Sequence, residues 1–428
     1  MKKIVAIMLA AGLVSVSLFG CTASDTNVSS NTSATENSNG GNSSSNSEAS
    51  VTAASSNGTV TDYRIEADAD TTFKLGSDDQ PFFISKTGMN ISDGNGAYTF
   101  FQDTLYYYDN NSQTTVVACG KPDCVHDTNS AESECNAYFP ADEFYYDKGF
   151  SYCDNNLYLL GKGSSGNTAV SLYKISADAS AREKVCTLFE TSDMNNIGVF
   201  TLHRGYAFWS LNTEDGAELF RMSLSDKKVE QVYKSDKYAA YITRFVGAGD
   251  YLYFSNTYAL DEDLNEWDGT ILRLNIHSGK TDELVNTTGC FTVLDNKIYY
   301  FDDENLCVCN LDGSDAKEFI TAPENSWLVV SDTKYLYLTN WDNDALKDSD
   351  GEKTTEWKLF VVDTDSKIKD TISIDDCEFF RGGYSDNLYI ETTNQALSVF
   401  DKAQIGTDAH EWKTVLSVSG NGEVNLNE

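Results

Sequence analysis

From about residue 62 onward, Tyr, Phe, Leu and Val gather in short runs separated by Asp, Asn and Gly. The runs alternate apolar and polar positions or are solidly apolar. No useful length carries a helical period, so the body reads as strands joined by tight turns. One motif recurs, a polar turn followed by a strand of the form Leu-Tyr-Phe-Ser. Its copies are Leu157-Tyr158-Leu159, Ala207-Phe208-Trp209-Ser210, Leu252-Tyr253-Phe254-Ser255, Ile298-Tyr299-Tyr300-Phe301, Leu336-Tyr337-Leu338-Thr339 and Leu388-Tyr389-Ile390-Glu391. Ala97-Tyr98-Thr99-Phe100 is a degenerate first copy. A second hairpin follows each, opening at Leu105, Leu172, Leu219, Ile271, Leu306, Leu359 and Leu397. Two hairpins make four strands, and the unit returns at a period of about 40–50 residues, the size of a propeller blade. A lone four-stranded sheet cannot cover both its faces, whereas a ring of them can. The pattern therefore predicts an all-β fold, a β-propeller of seven four-stranded blades. Tyr63-Arg64-Ile65-Glu66 and Thr72-Phe73-Lys74-Leu75 can supply closing strands or a vestigial eighth blade.

The first 60 residues follow another pattern. Lys2 and Lys3 precede an apolar stretch from Ile4 to Phe19, too short and too rich in small residues for a spanning helix. Residues 1–20 read as a secretory signal peptide, and Leu18-Phe19-Gly20-Cys21 resembles a bacterial lipobox in which Cys21 is acylated. In residues 22–60, 33 of 39 are Ser, Thr, Asn, Gly or Ala, with no Lys or Arg. Such a segment cannot bury a core, so 21–60 is expected to be a flexible tether and 61–428 the propeller. The expected location is the extracytoplasmic face of a bacterial cell membrane, held there by lipid alone.

Charge narrows the partners. Of the 428 residues, 66 are Asp or Glu and 31 Lys or Arg, a formal net charge of −35. That argues against nucleic acid, whose phosphates need clustered cations. Aromatic residues at 12% exclude a wholly disordered chain.

Two resemblances follow from the repeat. The Leu-Tyr-Phe-(Ser/Thr)-(Asn/Asp) consensus, with Asn310-Leu311-Asp312-Gly313-Ser314 and Leu336-Tyr337-Leu338-Thr339-Asn340-Trp341, resembles the YWTD propeller of low-density-lipoprotein-receptor-related proteins. A nearer similarity is to clostridial, Gram-positive surface lipoproteins with a propeller domain of unknown function. It spans about residues 85–420 and includes Cys119-Gly120-Lys121-Pro122-Asp123-Cys124, His126 and Cys135-Asn136-Ala137. The YWTD likeness implies a propeller usually of six blades, one fewer than the repeat count. Neither likeness implies a ligand, because propellers host many functions.

Strand parity locates the candidate sites. With four alternating strands a to d, the b–c and d–a connections leave on one face and the a–b and c–d turns on the other. Three long connections, Asn256 to Gly269, Asn340 to Glu356 and Cys119 to Asp147, are of the first kind and are expected to crowd one ligand face. The first two carry Trp and acid: Asp261, Asp263 and Trp267, then Trp341, Asp342, Asp344, Asp348 and Asp350. Indole faces stack on sugar rings and carboxylates bind hydroxyls, so a glycan fits this face as a peptide or protein does. Asp348-Ser349-Asp350-Gly351 is a fragment of a calcium loop, which makes Ca²⁺ a candidate. Cys119, Cys124, His126 and Cys135, in a Cys/His insertion spanning 119–147, suit a structural Zn²⁺. Outside the cell a disulfide, one reaching Cys153 included, or free thiols fit as well. The sequence holds no GxSxG, Walker A, HExxH or dinucleotide fingerprint. The reading is thus a monomeric, non-catalytic binding or scaffold module. The alternatives are an extracellular glycan hydrolase or lyase using acids on that face, and an envelope assembly or sensor subunit.

Overall fold

The structure, a computed structural model, describes residues 52–53, 69–80, 90–127, 133–162, 169–191, 196–213, 216–341, 346–347, 355–384, 386–419 and 423–426. Cys21, the signal segment, nearly all of the expected tether and Tyr63–Glu66 lie outside the described residues.

Among the described residues the strands form seven antiparallel sheets, each built on four strands consecutive in sequence. Blade one comprises Asn90–Ser92, Gly96–Phe101, Thr104–Asp109 and Thr114–Val117. Blades two to seven follow at 150–190, 197–235, 241–286, 291–321, 328–373 and 377–418. Each is a meander in which a pairs b, b pairs c and c pairs d. The c–d register shifts at the same place in the motif in five blades, at Leu172/Tyr173, Leu219/Phe220, Ile271/Leu272, Leu306/Cys307 and Leu397/Ser398. An extra residue there sharpens the twist of the outer strand.

Ring packing explains why the b-strand motif is almost wholly apolar. In blade four, Leu252 and Phe254 join a core with Phe208 and Leu219 of blade three. The alternate Tyr251 and Tyr253 join one with Phe291 and Ile298 of blade five. Both faces are covered, so both parities must be apolar, unlike a sheet with one wet face. Seven such cores fill the seven gaps between blades. The last joins Tyr389, Leu397, Val399 and Leu416 of blade seven to Ala97, Phe101, Tyr106 and Tyr108 of blade one. The ring therefore closes by side-chain packing, reinforced where Asn387 Nδ2 donates to Asn110 Oδ1 at 2.9 Å.

Thr72–Leu75 add no blade. Residues 69–80 form a strap without strands across the a–b turns of blades two to four. Asp154 N donates to Gly76 O at 2.8 Å, Arg204 N to Ser77 O at 2.6 Å, and Asp250 N to Asp70 O at 2.7 Å. Polar residues hold the strap because it meets turns, which offer unpaired backbone groups rather than apolar faces. Within the expected tether, Thr52–Ala53 pair in parallel with the outer strand of blade three, Thr52 opposite Glu230 and Ala53 opposite Gln231. An edge strand accepts such pairing through backbone alone. Val424–Leu426 cover the edge of blade seven by antiparallel pairing with its outer strand.

Candidate functional site

The Cys/His insertion reaches both rims. Its later half lies at the expected face, where Phe139 N donates to Asp103 O in the b–c turn of blade one and Lys162 N in blade two donates to Glu143 O, while its start reaches the other rim. It leaves blade one after Val117 and fills the groove between blades one and two. Ala137, Phe139 and Phe144 are buried there with Phe100, Leu105, Phe150 and Leu157. Phe139 stacks edge-on against Phe100 at 5.3 Å and Phe144 at 5.1 Å between ring centroids. The Arg182 guanidinium lies over both phenyl rings and donates to Tyr138 O at 2.6 Å. At the other end, Gly120 N donates to Asp178 O, and Asn136 Nδ2 to Ala179 O and Ser180 O at 3.0 and 2.9 Å. Residues 178–180 are the c–d turn of blade two, which by parity belongs to the opposite rim from the b–c loops. Aromatic residues draw the segment inward, which connection length alone does not reveal.

The four proposed ligands do meet. One donor atom each from Cys119, Cys124, His126 and Cys135 lies within 4.8 Å of every other. Cys135 Sγ stands 3.9 Å from His126 Nδ1. A turn at Pro122-Asp123, with Asp123 at φ 61°, folds Cys124 back toward Cys119. Lys121 Nζ donates to Glu134 O at 2.9 Å and draws the two arms together. Burial runs from Cys135, inside, through half-buried Cys119 and Cys124 to exposed His126. Burial alone would raise the Cys119 thiol. The amides of Lys121 and Asn136 and the neighbouring thiols outweigh it, and the net direction is downward. Burial pushes Cys135 up to about 12, against the amide of Ala137 and helped by Cys119 and Cys124. The nine cysteines of the described residues carry no disulfide. Cys153 faces the core between blades two and three, away from the cluster, so it is no partner for these thiols.

The expected acidic loops differ from each other. Much of Asn256–Gly269 is strand, because pairing runs on from Asn256↔Thr270 to Ala259↔Trp267 and leaves a tip at 260–266. Asp261 Oδ1 accepts from Asn265 N at 3.0 Å, and Leu260 N donates to Glu266 O at 2.8 Å. Trp267 Nε1 donates to Leu264 O, and its ring meets Tyr241 at 5.5 Å. Asp263 is exposed. Three apolar residues that no repeat or motif marks stand here. Leu260, Leu264 and Tyr238 are 56%, 42% and 49% exposed. Ala259 N donates to Tyr238 O at 3.0 Å, which seats Tyr238 beside the tip. Leu264 holds φ 56°, where glycine or asparagine is the ordinary choice. Leucines inside an otherwise acidic turn were the available signal.

Trp341 is 7% exposed and packs with Trp357 in the core between blades six and seven, its Nε1 donating to Cys377 O. Its indole therefore offers no stacking face to a sugar, and Trp267 alone of the named tryptophans stands at the surface. Asp342, Asp344, Asp348 and Asp350 lie outside the described residues.

A second titratable cluster lies under the strap at the other end of the ring. Arg204 donates to Asp78, Asp70 and Asp250. Asp79 N donates to His203 Nδ1 at 2.9 Å, and His203 Nε2 pairs with Gly249 O at 2.6 Å. Burial pushes the Asp79 carboxyl up to about 7, although Thr201 and Gly247 donate to it. Burial pulls His203 down to about 4. No sequence pattern links Asp79 to His203 and Thr201, which stand 124 and 122 residues away along the chain.

No protein-family model matches the chain, and no curated protein matches it. Several solved structures are similar. One is an oligogalacturonate lyase from Vibrio parahaemolyticus, 10% identical over 62% of this chain and 75% of that one, with a TM-score of 0.42. A prolyl endopeptidase is 11% identical over 79% and 52%, with a TM-score of 0.49. A chain of a nidogen/laminin complex is 12% identical over 63% and 89%, with a TM-score of 0.37. Enzymes and a binding protein thus both stand among the similar structures, and the strand pairing above is what establishes the propeller.

Proposed function

We propose that the protein is a lipid-anchored propeller on the extracytoplasmic face of a bacterial membrane, where it binds a protein or peptide. The observation that carries this reading is the tip of blade four. Leu260, Leu264 and Tyr238 expose apolar surface on the b–c/d–a face, while the strap covers a–b turns at the opposite end. Exposed apolar patches rimmed by polar groups mark interaction sites. Asp261, Glu262, Asp263 and Glu266 supply the rim, so the fitting partner has an apolar centre with basic side chains around it. Trp267 alone is a poor platform for a glycan. The Cys/His cluster serves architecture in this reading, not chemistry.

Panning a random peptide library on the full chain tests the proposal. Peptides rich in Lys, Arg and apolar residues are the expected yield, and they are expected to lose at least tenfold in affinity for a Leu260→Glu/Leu264→Glu variant. Equal affinity for both proteins would remove the tip as the site. Release of product from a glycan would instead establish the enzyme alternative. The anchor is tested separately by mass spectrometry of the mature N-terminus and by Cys21→Ser, which is expected to move the protein into the medium.

A further inference from the structure

We propose that Cys119, Cys124, His126 and Cys135 bind one structural Zn²⁺, and that this ion clasps the insertion over the seam between blades one and two. The inference does not rest on any partner. Three thiolates and an imidazole form a closed tetrahedral set that zinc favours, with no fifth protein donor needed. Zn–S bonds of about 2.3 Å in a tetrahedron place sulfurs roughly 3.8 Å apart. The four donor atoms already lie within 4.8 Å of one another, so binding needs side-chain adjustment and no refolding.

Contacts around the cluster hold its two arms in place: Lys121 Nζ donates to Glu134 O at 2.9 Å, and Cys135 N donates to Ser133 Oγ at 3.1 Å. Such outer contacts orient the direct ligands of a metal. A disulfide fits less well, because it takes two of three convergent thiols and strands the third beside His126. Exposed His126 leaves the metal an entry path from solvent.

The site has a structural consequence. Fixing Cys135 positions the next two residues, and both bridge blades. Asn136 holds the carbonyls of Ala179 and Ser180 in blade two, and Ala137 O accepts from Leu105 N of blade one at 2.8 Å. Metal binding here is therefore binding to the folded seam, which stabilises the native state by mass action.

The test is elemental analysis of the full chain, with cobalt reconstitution as the spectroscopic readout. One zinc per chain is expected. Co²⁺ is expected to give intense visible bands of a tetrahedral ion together with a thiolate charge-transfer band. Cys135→Ser is expected to lose the metal, but that side chain is buried and the variant can fail by misfolding. His126→Ala changes an exposed residue, and is expected to weaken cobalt binding at least tenfold and shift its spectrum while leaving the chain folded. A chelator is expected to lower the parent's melting temperature by several degrees. Absence of metal with no tetrahedral cobalt spectrum would overturn the proposal, as would a disulfide joining any two of the three cysteines. An unaltered spectrum and affinity in His126→Ala would overturn the ligand set.

Discussion

The connection after blade one and the tip of blade four look alike in the sequence, since both are polar, acidic and longer than a hairpin needs. They fold in opposite senses. Residues 119–147 turn inward, and Phe139 and Phe144 become part of the core between two blades. The tip at 260–266 is satisfied by its own backbone, and Leu260 and Leu264 face outward. The first segment has a groove between blades within reach. The second closes a hairpin whose pairing runs from Tyr251↔Asn275 to Ala259↔Trp267. Apolar side chains are thus buried in one place and left exposed in the other.

The largest effect that would break this contrast is Phe139→Ala. Removing a ring with no exposure and two edge-on partners is expected to destabilise the protein by about 3–5 kcal/mol, read from urea denaturation. A loss near that of a surface substitution would mean that the insertion is not part of the core.

The strap is expected to be almost as sensitive. Arg204→Ala leaves the wholly buried Asp78 carboxylate without its partner, a change that costs about 3–5 kcal/mol in comparable sites. A stable variant would show the strap to be dispensable.

The pair beneath the strap gives a pH test. Asp79 has a folded pKa of about 7, above its unfolded value of about 3.9, so its contribution is present below pH ~4 and lost as pH rises toward 7. His203 has a folded pKa of about 4, below its unfolded value of about 6.5. Its contribution is present above pH ~6.5 and lost as pH falls toward 4. Between those limits the slopes oppose each other and largely cancel. Asp79→Asn is expected to leave stability rising with pH across the window, and His203→Gln to leave it falling, each by ~1–3 kcal/mol. Denaturation midpoints at a series of pH values check this, and two variants with the parent's profile would refute it.

The smallest expected effect sharpens the contrast from the other side. Leu264→Ala is expected to change stability by less than about 0.5 kcal/mol while weakening any peptide bound at the tip. A large loss of stability would mean that the leucine is structural after all.

The repeat was legible from the sequence, because strands buried on both faces write a nearly continuous apolar signature such as Leu252-Tyr253-Phe254. So was the meeting of Cys119, Cys124, His126 and Cys135, since they lie within 17 residues and local turns bring them together. The number of blades followed from counting hairpins. What the sequence could not decide was which polar stretches would be drawn inward. Trp341 looked like a binding indole and is a core residue, while Leu260, which no motif marks, is a surface one. Thr72–Leu75 looked like a strand and became a strap, because its partners are turns of three blades far away in the chain. Strand and turn formation depend on neighbours a few residues apart, which a chain displays in its own order. Burial of a connection depends on the shape of the gap between blades, and that gap exists only once the ring has closed.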